Sequence, residues 1–201
     1  MVYNEIGKTG MKVSNLGFGA SSLGGVFRGI DEGEAIKAVH TAVDNGINFI
    51  DVSPYYGHLK AETVLGKALK EIPRDRFILS TKVGRYGKDG VNTWDYSAKR
   101  ATESVYESME RLNVDFIDLI NVHDVEFTDL RQVAEETLPA LVELRKKGVV
   151  GHVGTSSARL SRRLFLRNLK IVDSGNRLLC QHEGSFCSSA VSFTPPISFG
   201  M

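Results

Sequence analysis

With 201 residues, a formal net charge of +1, 42% hydrophobic and 24% charged residues, the chain has the composition of one globular domain with a sizeable core. The near-neutral balance gives no electrostatic basis for binding nucleic acid or an anionic membrane, and no run is long enough to span one. The first five residues lack the apolar core of a signal peptide. The two cysteines, Cys180 and Cys187, fit a reducing compartment and form no metal motif, so a cytoplasmic location is expected.

Residues 2–14 read as a hairpin turning at 7–10. Residues 16–19 form a short strand. The Gly-rich stretch after it, 20–25, matches no GxGxxG phosphate loop, and loop flexibility is its expected use. A helix is predicted over 32–45, with Ile36, Val39, His40 and Val43 on one face and Gly46 as its stop; His40 reads as structural. A strand at 48–51 follows, then a turn with Pro54 and Gly57, then a helix over 61–70 with Val64, Leu65, Ala68 and Leu69 inward. After Pro73 come a strand at 77–81 and a long loop, 84–96, which holds the only tryptophan, Trp94; that length points to function. Next are a helix at 97–112 with Ala101, Ser104, Val105, Ser108 and Leu112 inward, a strand at 116–122, a helix at 130–147 and a strand at 149–155.

Strands alternating with helices across short connections argue for parallel strands and right-handed crossovers. A doubly wound sheet should carry a glycine fingerprint in its first crossover, and this chain has none. Asp51, Lys82 and His123 instead fall at the C-terminal ends of three different strands, where a barrel keeps its chemistry. The expected fold is α/β, of the (β/α)8 TIM-barrel type. It comprises about five strand–helix units in residues 1–154, an N-terminal hairpin, and an irregular tail at 155–201 to which no separate domain is assigned. A full barrel takes about 250 residues. In the tail, Arg159, Arg162, Arg163, Arg167 and Lys170 crowd a candidate helix at 160–172, read as a solvated outer helix, and Pro195-Pro196 breaks the Ser-rich run that follows.

Asp51, Tyr56, Lys82 and His123 are the candidate catalytic residues. Alone, each has a blander use: a turn cap, a packed aromatic, a solvated lysine, a rim histidine. Four such residues at successive strand ends make that joint reading improbable. Tyr55 rivals Tyr56. A metal site from Asp51, His123 and Asp124 lacks the spacing, so no metal is expected.

The stretches Leu16-Gly17-Phe18-Gly19, Asp51-Val52-Ser53-Pro54-Tyr55-Tyr56-Gly57, Ser80-Thr81-Lys82 and Asp118-Leu119-Ile120-Asn121-Val122-His123 resemble the N-terminal part of the aldo-keto reductase family. Gly84-Arg85-Tyr86, the run from His123 to Phe127 and the run from Glu136 to Leu141 resemble its L-galactose dehydrogenase group more narrowly. The resemblance implies a (β/α)8 barrel using NAD or NADP without a metal, and oxidising an aldose at C1 or acting on a similar sugar or carbonyl substrate. It implies that Tyr56 exchanges a proton with the substrate oxygen, that Lys82 lowers its pKa, that Asp51 holds Lys82 and that His123 orients the substrate. It places Gly19, Ala20, Ser21 and Asp51 beside the nicotinamide. A free tyrosine titrates near about 10, so a base at neutral pH needs such a cation.

The family's last three strands, with most cofactor contacts, have no recognisable counterpart, and Ser156-Ser157 stands where a Ser-Asn pair is usual. The chain therefore reads as a truncated isoform, a frameshifted product or the product of a misassigned gene structure. The alternative function is a catalytically inactive partial barrel acting as a protein-interaction module, its partner unidentified. The choice between NAD and NADP stays open.

Overall fold

The computed structural model describes residues 1–7, 9–26, 29–88 and 91–157, together with a strand at 179–182. Strands β1 (Tyr3–Glu5) and β2 (Lys12–Ser14) pair antiparallel as the predicted hairpin. Ile6 and Val13 bury against Phe49 and Leu119, so the hairpin closes the N-terminal end of the main sheet. The Asn48 side chain fastens it, accepting from Ser14 N at 2.7 Å and donating to Lys12 O at 2.9 Å.

The main chain then runs β3 (Phe18–Gly19), α1 (Glu32–Asp44), β4 (Phe49–Asp51), α2 (Lys60–Leu69) and β5 (Ile78–Val83). A hairpin of β6 (Arg85–Lys88) and β7 (Val91–Trp94) precedes α3 (Ala98–Leu112), β8 (Ile117–Val122), α4 (Leu130–Gln132), α5 (Leu138–Lys146), β9 (Val150–Ser157) and β10 (Leu179–His182). Side-chain caps start three of the helices: Asp31 accepts from Glu34 N, Ser97 from Arg100 N and Asp129 from Arg131 N. All five α3 residues expected inward are buried. His40 has the expected structural use, with Nε2 at 3.0 Å from Ala68 O.

The parallel sheet has the order β10-β9-β8-β5-β4-β3. Every strand lies beside its sequence neighbour in the sheet, with none of the reversal that marks a doubly wound sheet. This is the winding of a (β/α) barrel. Side chains alternate across it. Ile50 and Leu79 join the layer under α1 and α2, and Ile120 and Val122 the layer under α3 and α5. The opposite face starts at its N-terminal end with Phe49, Ile78 and Leu119. The same period-two face continues upward to Asp51, Lys82 and Asn121. One face thus changes from apolar to polar toward the C-terminal ends of the strands.

Three sequence expectations need correction. The stretch 84–96 is not an open loop: β6 and β7 pair antiparallel, Arg85 opposite Trp94. The tail is not wholly irregular, because β10 adds a sixth parallel strand beside β9, with Gln181 opposite Ser156. The helix at 130–147 is interrupted by a π turn, Val133–Thr137, just before Pro139. Proline has no N–H to give and its ring crowds the preceding turn, so a wider turn accommodates it. The candidate helix at 160–172, Cys187 and the Ser-rich run lie outside the described residues.

Candidate active site

Register brings the polar strand ends together. Asp51 is level with Ser80, and Lys82 with Asn121. Lys82 is 1% exposed, so its ammonium needs partners. It donates to Asp51 Oδ2 at 2.6 Å, Val52 O at 3.0 Å and the Tyr56 hydroxyl at 3.2 Å. Ser80 Oγ donates to the other Asp51 oxygen at 2.8 Å and accepts from Asn121 Nδ2 at 3.2 Å. The carboxylate is thereby fixed facing the lysine. Tyr55 instead lies under the Arg85 guanidinium, 3.7 Å from ring centroid to Cζ.

His123 is enclosed beside them, its ring edge-on to Tyr56 with centroids 5.8 Å apart. Its Nδ1 is 3.1 Å from Ser53 Oγ. Burial first, then the Lys82 and Arg85 cations, holds its imidazole well below the ordinary value, so it is neutral near pH 7. Asp124 follows in a left-handed conformation and pairs with Arg85. Burial raises the Asp124 carboxyl, and the Arg85 bond opposes that. Arg85 also lies 4.7 Å from the Trp94 ring, which packs at a tilt against the exposed Phe127, centroids 5.3 Å apart. A ladder of aromatic and guanidinium groups thus runs from His123 outward through Tyr55, Arg85 and Trp94.

The glycine-rich stretch 20–25 is mostly a 3-10 turn, Ala20–Gly24, so flexibility is not its main use. A Cβ on Gly24 would stand 2.8 Å from Tyr56 O and 2.9 Å from Gly57 N. Gly57 has φ +60 and would collide with Gly24 in turn. The turn carrying Tyr56 therefore rests backbone to backbone on Gly24. His58 and Leu59 are also left-handed, at φ 51 and 75. Such residues cost roughly 1–2 kcal/mol each, and the packing around the turn holds them there.

The candidate cofactor neighbours are less uniform. Gly19 is level with Asp51. Ala20 is buried in the apolar cluster with Ile50 and Val52, and Ser21 is buried. The buried ends of β8 and β9 add Asn121, Thr155, Ser156 and Ser157, amide and hydroxyl groups whose chemistry fits a nicotinamide carboxamide.

Sequence reading missed Ser53, the Arg85–Asp124 pair, and Glu62. Glu62 is enclosed within α2, accepting from Thr81 Oγ1 at 2.6 Å and Arg111 Nε at 2.8 Å. A polar residue at an inward helical position was the available signal.

Residues 15–169 match the aldo/keto reductase family model. The chain is 46% identical over 157 residues to an L-galactose dehydrogenase of Arabidopsis thaliana, covering 77% of this chain and 48% of that protein. It is 35% identical over 168 residues to a D-threo-aldose 1-dehydrogenase of a Pseudomonas species, covering 74% and 51%. A holo-form aldo-keto reductase structure from Bacillus halodurans superposes with a TM-score of 0.74 at 33% identity, covering 90% of this chain and 58% of that one. The chain thus spans about half the length of the curated relatives it matches. It belongs to the aldo/keto reductase family.

Proposed function

We propose that this chain carries the proton-transfer half of a nicotinamide-dependent aldose 1-dehydrogenase, with NAD or NADP as cofactor and L-galactose as the first sugar to test. One observation carries the reading: Lys82 Nζ bridges Asp51 Oδ2 and the Tyr56 hydroxyl from a buried position. The Lys82 ammonium stabilises a Tyr56 phenolate, which takes the proton from the anomeric hydroxyl. Asp51 keeps the enclosed lysine charged. The neutral His123 ring holds the substrate oxygen toward Tyr56. Bound nicotinamide supplies the hydride acceptor. Gly19, Ser21, Asn121 and Ser156 would surround the nicotinamide end. The support for a sugar comes from the relatives' names and from the Arg85–Asp124 pair, which offers donors and acceptors beside the site.

A second reading, an inactive partial barrel that binds a protein partner, draws on the sheet edge. Among the described residues, β10 pairs with β9 on one side and with no strand on the other.

One experiment separates the two. The purified chain is given L-galactose with NAD or NADP, and nicotinamide absorbance is followed. Turnover that disappears in Tyr56→Phe while the thermal transition stays in place supports the enzyme. A folded wild-type chain that binds neither dinucleotide supports the second reading. Undiminished turnover in Tyr56→Phe would remove Tyr56 from its role.

A further inference from the structure

Ser53 lies between Asp51 and Tyr56, with no exposed surface, and takes no part in the proton path above. Its hydroxyl makes two hydrogen bonds. Tyr55 N donates to Oγ at 3.2 Å, and Oγ stands 3.1 Å from His123 Nδ1. The first bond uses Oγ as an acceptor. If Nδ1 also carried a hydrogen and donated, Oγ would accept twice and its own proton would be buried without an acceptor among the described residues. Such a buried donor is costly. The arrangement that satisfies every group has Ser53 donating to a bare Nδ1.

We propose that Ser53 is a positioning residue that fixes the His123 tautomer, placing the ring proton on Nε2 as the hydrogen-bond donor to the substrate oxygen. On the other side of the ring, Asp124 Oδ2 lies 3.6 Å from Nε2, beyond hydrogen-bond reach. Nε2 makes no hydrogen bond to any other described residue, so its N–H is available to a ligand. The Tyr96 hydroxyl fixes the backbone beneath, donating to His123 O at 2.8 Å. The edge-on Tyr55 and Tyr56 rings, with centroids 6.1 and 5.8 Å from the imidazole, limit its rotation. Ser53 is thus the group that sets which nitrogen is protonated. The substrate-binding consequence rests on the aldose dehydrogenase reading; the tautomer itself does not.

The test is nitrogen NMR of the imidazole in the 15N-labelled chain, at a pH above the ordinary imidazole value of about 6.5. Long-range proton–nitrogen correlations distinguish protonated from bare ring nitrogens, and His123→Gln identifies the signal among the five histidines. The expected wild-type spectrum has Nδ1 bare and Nε2 protonated. In Ser53→Ala both nitrogens should move toward intermediate shifts as the tautomers mix. Ser53→Cys, close in size but a weak donor, should fall between. A wild-type Nδ1–H, or an unchanged tautomer in either folded variant, overturns the proposal, and the wild-type spectrum decides even where a variant does not fold. With turnover established, Ser53→Ala should lower kcat about tenfold, as for other proton and orientation losses of about 1.4 kcal/mol, with the thermal transition little changed. A wild-type chain with the expected tautomer and no sugar oxidation would remove the enzymatic reading and leave this one standing.

Discussion

Glu62 Oε2 and Arg111 Nε, on α2 and α3, are paired at 2.8 Å with the carboxylate wholly enclosed. The helices meet closely here, since a Cβ on Gly66 would stand 2.0 Å from Arg111 O. The other Glu62 oxygen holds Thr81, the residue before Lys82. Removing one member leaves a buried charge or an unsatisfied cation, so Glu62→Ala or Arg111→Met should each cost about 3 kcal/mol. Glu62→Leu combined with Arg111→Met should recover much of that loss, because the desolvation cost goes with the charges. Chemical denaturation of the single and double variants checks this, and a double variant less stable than either single would contradict it.

The enclosed His123 gives stability a pH dependence. In the unfolded chain it titrates near about 6.5. In the fold, burial and then Lys82 and Arg85 hold it well below that. Between the two values the unfolded state binds a proton that the native state does not, so stability rises with pH. The contribution is therefore complete above about pH 6.5 and is lost as pH falls toward the folded value. Asp124 has the opposite sign: burial raises its carboxyl, so its contribution is lost as pH rises from about 3.9 toward the folded value. His152, also lowered by burial and by Arg145, acts in the same sense as His123. The difference between wild type and His123→Asn isolates the one ring. The variant should lose less stability on acidification from pH 7. Parallel melting-temperature profiles for the two proteins would count against the assignment.

Gly24 carries the turn that presents Tyr56. Any side chain there meets the Tyr56–Gly57 peptide rather than a flexible group. Gly24→Ala must therefore lift that peptide, which also lengthens the 3.2 Å contact between the Tyr56 hydroxyl and Lys82. A misplacement of about 1 Å at a reacting group can cost about 100-fold in rate. With turnover established, the expectation is a loss of that order in kcat, with a rise in the pH at which Tyr56 ionises relative to wild type. Carbon NMR of labelled tyrosine follows that ionisation without turnover. A folded Gly24→Ala chain with an unmoved Tyr56 titration would show that the contact matters only for packing.

The pattern of the sequence revealed the fold where periodicity was strong. Val39 and Val43 on α1, and Ala101, Val105 and Leu112 on α3, are spaced for one buried face and are buried. Asp51, Tyr56, Lys82 and His123 could be grouped because each ends or follows an apolar strand. Their convergence depended on register, which a single strand does not encode: the level placement of Lys82 and Asn121 is a property of two strands. Ser53 was illegible for a different reason, and Glu62 showed only in its helical spacing with the inward Leu65 and Leu69. A serine in a turn and a glutamate on a helix are ordinarily solvated, and only tertiary packing encloses these two. The strand pattern of β6–β7 was weakened by Gly87, and the signal that could have found the hairpin was Asp89-Gly90 between the paired Lys88 and Val91.

Arg85 couples that hairpin to the site, and Trp94 reports on the coupling. The guanidinium pairs with Asp124 and lies 4.7 Å from the Trp94 ring, which is 38% exposed. A cation over an aromatic face contributes about 0.5–1 kcal/mol when partly exposed. Asp124→Asn keeps the shape but removes the charge that anchors Arg85, and Arg85→Ala removes the guanidinium itself. In both, the indole should gain solvent access. As Trp94 is the only tryptophan, its emission reads this directly. A red shift and stronger acrylamide quenching are expected, larger for Arg85→Ala. With turnover established, the sugar KM should rise several-fold and kcat change less, because both residues border the proposed sugar site and neither contacts the Tyr56 hydroxyl. Emission unchanged in both variants would show that the hairpin is held by other contacts and that Arg85 does not connect it to the polar strand ends.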